Sequence, residues 1–177
     1  MAQRIIDRLQ WCVPAFAELF VATILVWEYT HGGVLNHHFL DRSNMPAVSS
    51  WWGLIVFPVL GWLAAWFAGR RAAIEPTALQ KAFAAALGAL LVGIAMSIGF
   101  TTGHGQITGY IFFAALAAGL VLPTYRAEYV FGFALGMVFA IGTVLPTFVA
   151  LAGVAISAIA HFLLWPAFGR IIRRARA

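Results

Sequence analysis

A chain of 177 residues that is 63% hydrophobic and only 10% charged lies outside the soluble globular class, in which about 25% of residues are charged. The formal net charge of +5 is explained by the basic flanks of apolar segments, so it makes no case for a nucleic-acid partner. The apolar runs are too long for soluble core helices, since about 20 residues of helix cross a hydrocarbon layer of roughly 30 Å.

The composition predicts an all-α membrane protein. We expect a single polytopic domain over residues 1–177, a compact bundle of about six transmembrane helices embedded in the lipid bilayer. The first span covers about residues 12–30. It does not read as a cleavable signal, because Glu18 and Glu28 interrupt its apolar run and no small-residue cleavage site follows. Cys12, the only cysteine, rules out an intrachain disulfide. Glu18 falls about six residues into this span, roughly 9 Å from its start at the helical rise.

The largest loop follows, residues 31–50, and the stretch "EYTHGGVLNHHFLDRSNMPA" from Glu28 to Ala47 concentrates titratable groups. We expect it to fold over the bundle mouth as a short interfacial helix, with "VSSWWG" (48–53) anchoring its end among headgroups. The second and third spans cover about 51–69 and 82–100. The turn "FTTGHGQITGY" (100–110) then leads into a fourth span at about 107–124, whose start is blurred by Gly103, Gly105 and Gly109. The apolar stretch from Tyr129 to Phe168 is about 60 Å long as one helix, twice the core thickness. It must fold back, and "GTVLPT" (142–147) supplies the glycine and proline for the turn. Spans five and six therefore cover about 128–145 and 148–167.

Charge gives the orientation. With both termini cytoplasmic, Arg4, Arg8, Arg70, Arg71, Lys81, Arg126, Arg170, Arg173, Arg174 and Arg176 lie inside and Arg42 alone outside, the bias of a bacterial inner-membrane protein. His31, His37, His38 and His104 then share the outer face with Glu28, Asp41 and Arg42. Polar residues collect in aqueous loops for bland reasons. The sharper reading is a site for a divalent metal ion or other ligand built from Glu28, His31, one of His37 and His38, Asp41 and His104, since imidazole is the commonest metal ligand and such sites need three or four converging donors. Glu28 and His31 have the Glu-x-x-His spacing, but a di-iron bundle needs a second copy, and the chain has none.

A second candidate lies within the membrane. His161 falls about six residues before the end of span six, at a depth matching Glu18, so the two are expected to face each other with helices one and six adjacent. Ser157, four residues before His161, would share that site. The bland alternative is a polar clasp that moves nothing. Spans three to six are rich in small residues, and Gly132 and Gly136 form a GxxxG spacing that serves close packing within the bundle or a homo-oligomer. The similarity of "AELFVATIL" (17–25) and "AEYVFGFAL" (127–135) rests on two residues plus hydrophobicity and is treated as chance.

Phosphate-loop, dinucleotide, nucleophile-elbow and zincin motifs do not occur, and no lysine lies within a span to form a retinal Schiff base. Three functions survive. A small transporter or channel lined by Glu18 and His161 comes first. A membrane-embedded enzyme acting on a lipid or lipophilic substrate, with the outer histidines holding a metal, comes second. The third is a non-catalytic subunit of a larger membrane complex, such as the substrate-binding component of an energy-coupled importer.

Overall fold

A computed structural model describes residues 2–31, 36–38, 47–142 and 144–175. The helices are α1 (Ala2–Thr30), α2 (Gly53–Ala72), α3 (Ala78–Thr101), α4 (Gly105–Val121), α5 (Ala127–Ile141), α6 (Leu145–Ile159) and α7 (Trp165–Ala175), with a π-helical turn at Ala160–Leu164 joining the last two into one rod. Between α1 and α2, two short strands, β1 (Asn36–His38) and β2 (Ala47–Ser49), pair antiparallel with His37 opposite Val48. A single 3-10 turn, Ser50–Trp52, follows. Where the interfacial helix is expected, the described residues form two paired strands and a turn, while residues 32–35 and 39–46 lie outside the described residues. Val48, Ser49 and Ser50 are β-branched or hydroxyl-bearing residues that favour extended backbone and caps over helix.

Four segments are long and apolar enough to cross a membrane: Ile6–Thr30, Ser50–Ala72, Ala78–Thr101 and Leu145–Arg170. The apolar helices α4 and α5 are shorter, 17 and 15 residues, or about 25 and 22 Å at the helical rise. Of the two, α5 is the more enclosed. It packs against α2, α3 and α6, and Val130, Phe131, Ala134, Met137 and Val138 are all buried in those contacts.

The chain reverses between successive helices, through a long connection after α1 and short ones from α2 to α6. The start of α1, the end of α2, the start of α3, the end of α4 and the start of α5 therefore meet at one end, where Gly69 abuts Ile6 and Arg71 bonds Glu128. This is the basic end, since Arg70, Arg71, Lys81 and Arg126 gather there. The turn between α5 and α6 is tighter than the expected 142–147. Gly142 takes a positive φ of 78° and α6 begins at Leu145. Pro146 sits in the first turn of α6, where a helix has no use for its missing N–H, so it starts that helix and plays no part in the reversal.

Two packing seams hold the bundle. Ala17, Val21 and Leu25 of α1, spaced by four, meet Phe57 and Ala64 of α2 and Phe131, Ala134 and Val138 of α5. The second seam joins α3 to α5 and places the GxxxG pair. A Cβ at Gly132 would run into the backbone of Ala86, and one at Gly136 into Leu90, Ile94 and Gly93. Gly93 answers from α3, where an added Cβ would lie 2.6 Å from the carbonyl oxygen of Phe133. Backbone meets backbone here, and only glycine permits it. The GxxxG spacing is used inside the chain.

Candidate functional site

At the end opposite the basic one, the sequence candidates separate. His31 stacks on Trp27 with ring centroids 4.8 Å apart, and its Nδ1 lies 2.9 Å from the Trp27 carbonyl oxygen and 3.0 Å from the Thr30 hydroxyl. His104 caps the start of α4, exposed, with Nδ1 2.9 Å from the Thr102 hydroxyl. Each ring is satisfied by its own turn. Glu28 is 7% exposed and has a partner, in line with the buried stripe of Ala17, Val21 and Leu25. The backbones of His37 and His38 form β1, while their side chains and all of Asp41 lie outside the described residues. Among the described residues no three His, Cys, Asp or Glu side chains converge to hold a metal ion.

The intramembrane pair is not formed. α1 packs on α2, whereas α6 packs on α4 and α5. Glu18 follows Ala17 by one residue and so points about 100° away from the buried stripe of α1, leaving it half-buried. The ion pairs among the described residues are Arg71–Glu128 and Lys81–Glu75, and neither includes Glu18 or His161. Matched depth along two helices places residues at one level of the bundle but does not fix the directions in which they point.

His161 has a different occupation. Its Nε2 lies 3.3 Å from the carbonyl oxygen of Val121, and its Nδ1 lies 2.9 Å from that of Ser157. One turn earlier, the buried Ser157 hydroxyl donates to Leu122 O at 3.0 Å; one turn later, Trp165 Nε1 donates to Leu120 O at 2.8 Å. The final carbonyls of α4 lack intrahelical donors, and this ladder from the neighbouring rod faces them. Residues spaced by four drift around an α-helix. The π turn at Ala160–Leu164 rotates less per residue and keeps Ser157, His161 and Trp165 on one side. Tyr125 completes the corner with its ring edge against His161, centroids 5.5 Å apart.

The site with room for a ligand lies beside that corner. A cavity of about 630 Å3 is walled by α3, α4, α5 and α6, within the range of roughly 300–1,000 Å3 that small-molecule sites occupy. Small side chains make the space: Ala84, Ala85, Gly88 and Ala89 on α3 and Ala115 on α4. A Cβ added at Gly88 would meet nothing within 4 Å. Phe112, Leu116 and Phe133 give the wall its apolar bulk, and all of its charged members, Lys81, Arg126 and Glu128, stand at the basic end with Thr124 and Tyr129.

Charges at this mouth are mostly paired. Arg71 Nη2 holds Glu128 Oε2 at 2.8 Å, tying α2 to the first turn of α5, with Glu128 only 3% exposed. The N-terminus of α5 adds its own preference for a carboxylate. Lys81 bonds Glu75, which also accepts from Thr77 at 2.9 Å, and these donors hold the Glu75 carboxyl below its usual range. Arg126 stands apart: among the described residues its guanidinium has no carboxylate partner.

Sequence reasoning missed this mouth. It assigned Arg71, Lys81 and Arg126 to orientation alone and discounted Glu128 as part of a chance repeat. The available signal was their common location at the basic helix ends, which puts a carboxylate and several cations at one level. Comparison with protein-family models, curated proteins and solved structures finds no match, so the functional reading stands on this geometry alone.

Proposed function

We propose that the chain is a small integral membrane protein of six crossings that carries a lipophilic solute in the cavity between α3, α4, α5 and α6. The single observation carrying this reading is a ligand-sized cavity with apolar walls and a charged mouth at one end only. The outside of the bundle supports the membrane setting. Large apolar residues such as Phe16, Leu19, Phe83, Phe113 and Phe162 are exposed along the helices, a surface no soluble monomer maintains. By the positive-inside bias, the charged mouth faces the cytoplasm.

Carriage is favoured over catalysis by the lining itself. Its carboxylate, Glu128, is bound to Arg71, and its remaining titratable members are two cations and a tyrosine, an inventory suited to binding. The test is transfer of a fluorescent long-chain solute across reconstituted vesicles, comparing the protein with Gly88→Phe, which adds a ring to the cavity wall at a position where a Cβ meets nothing within 4 Å. The reading predicts faster equilibration than in empty vesicles and its loss in the filled variant. Transfer equal to that of empty vesicles, or unchanged by Gly88→Phe, would count against it.

A further inference from the structure

We infer that the occupant of this cavity is a single-chain amphiphile with a monocarboxylate head, its tail between α3 and α6 and its head on Arg126; the inference rests on the cavity reading above. The argument is one of charge balance. The charged residues lining the cavity are Lys81, Arg126 and Glu128, and their ion-pair partners are Glu75 and Arg71; Arg70, at the same end, lies outside the lining with its guanidinium over the Trp66 ring, 4.6 Å from the centroid. Two pairs form, Arg71 with Glu128 and Lys81 with Glu75, and one positive charge remains. That charge is half-buried at the rim of an apolar space, where a counter-ion is worth more than in open water.

Head and tail preferences therefore point to one molecule. A guanidinium fork matches a carboxylate in two parallel hydrogen bonds. One surplus unit charge suits one carboxylate, whereas a phosphate monoester carries about −1.5 to −2 at neutral pH and calls for more cations. Thr124 and Tyr129 put hydroxyls on the same rim, and neither hydroxyl has a hydrogen-bond partner among the described residues. The walls below offer apolar contact and no further polar side chain, a path for an alkyl chain.

The experiment measures binding to the full chain in nanodiscs of zwitterionic lipid, using oleate, oleyl alcohol and oleoyl lysophosphatidic acid as probes. The inference predicts one saturable oleate per chain, weakened about tenfold or more by Arg126→Gln through loss of charge-assisted bonds. Arg126→Lys should retain part of the affinity, and oleyl alcohol should bind weakly and equally to all three proteins. Thermal unfolding establishes that the variants are folded. Oleyl alcohol binding as tightly as oleate, or oleate binding that ignores Arg126→Gln, overturns the anionic head and leaves the cavity reading intact. Tighter binding of the phosphate-headed probe overturns the choice of carboxylate. If no probe binds in a way that Gly88→Phe blocks, the cavity reading itself fails.

Discussion

Replacing Gly132 by alanine tests the α3–α5 seam, and Gly88→Ala supplies its internal control. Both changes add one methyl group to a helix interior, and both gain the intrinsic preference of helices for alanine, about 0.8–1.0 kcal/mol. They differ in what the methyl meets. At Gly88 nothing lies within 4 Å. At Gly132 the Cβ would overlap the carbonyl oxygen of Ala86, lie 2.8 Å from its carbonyl carbon and 3.0 Å from its Cα. All three atoms are backbone, so no side chain can swing aside. Carbon atoms rest about 3.5–4.0 Å apart, so α3 must retreat by roughly 1 Å. That movement also opens the contact between Gly93 and Gly136, and a gap of 0.5–1 Å forfeits about a quarter to a half of each dispersion contact. Overpacking of this kind costs about 1–3 kcal/mol. Gly132→Ala should therefore melt well below Gly88→Ala in the same detergent, with wild type between them or level with Gly88→Ala. Equal melting of the two variants would refute the seam. So would a Gly132→Ala chain that keeps its monomer stability and only loses a dimer.

Other expectations follow from named contacts. Arg71→Met leaves the Glu128 carboxylate buried without its counter-ion and should destabilise by up to about 3 kcal/mol, more than the double change Arg71→Met/Glu128→Met; a double-mutant cycle by chemical denaturation reads this. Glu75 has a folded-state pKa below its ordinary 4.5 because Lys81 and Thr77 donate to its carboxylate. The stability this adds is full above pH 4.5 and is lost as pH falls through the lowered value, so Glu75→Gln should abolish that part of the acid transition. At neutral pH the same change releases Lys81 at the mouth, and oleate binding should tighten. Ser157→Ala removes one of two donors to Leu122 O, the Thr124 N–H remaining, and should cost about 1 kcal/mol or less in thermal unfolding, with Trp165→Phe costing about 1 kcal/mol through Leu120 O.

What the sequence conveyed depended on one dimension. Length and hydropathy along the chain located all six helical runs, and the positive ends of those runs correctly foretold that Arg70, Arg71, Lys81 and Arg126 share one end of the bundle. Direction around each helix was harder. Glu18 looked like the buried group of α1, yet the stripe of Ala17, Val21, Leu25 and Glu28 buries Glu28 instead. That spacing was readable in the sequence. His161 was linked to Glu18 by depth, although its partners are the carbonyls of Val121 on α4 and Ser157 on its own rod, which no side-chain pattern advertises. The cavity was least legible of all, because alanines and glycines scattered over four helices become one space only when packed.

The central claim is that the space between α3, α4, α5 and α6 holds the tail of an amphiphile. The most direct measurement is photo-crosslinking in intact membranes with a fatty acid bearing a diazirine in its tail, followed by peptide mapping. The account predicts label on the wall formed by residues 84–92 of α3 and on Phe112, Ala115 and Leu116 of α4, with Gly88→Phe suppressing it. Label confined to the outward residues of α1, such as Phe16, Leu19 and Val26, with none on that wall, would contradict it.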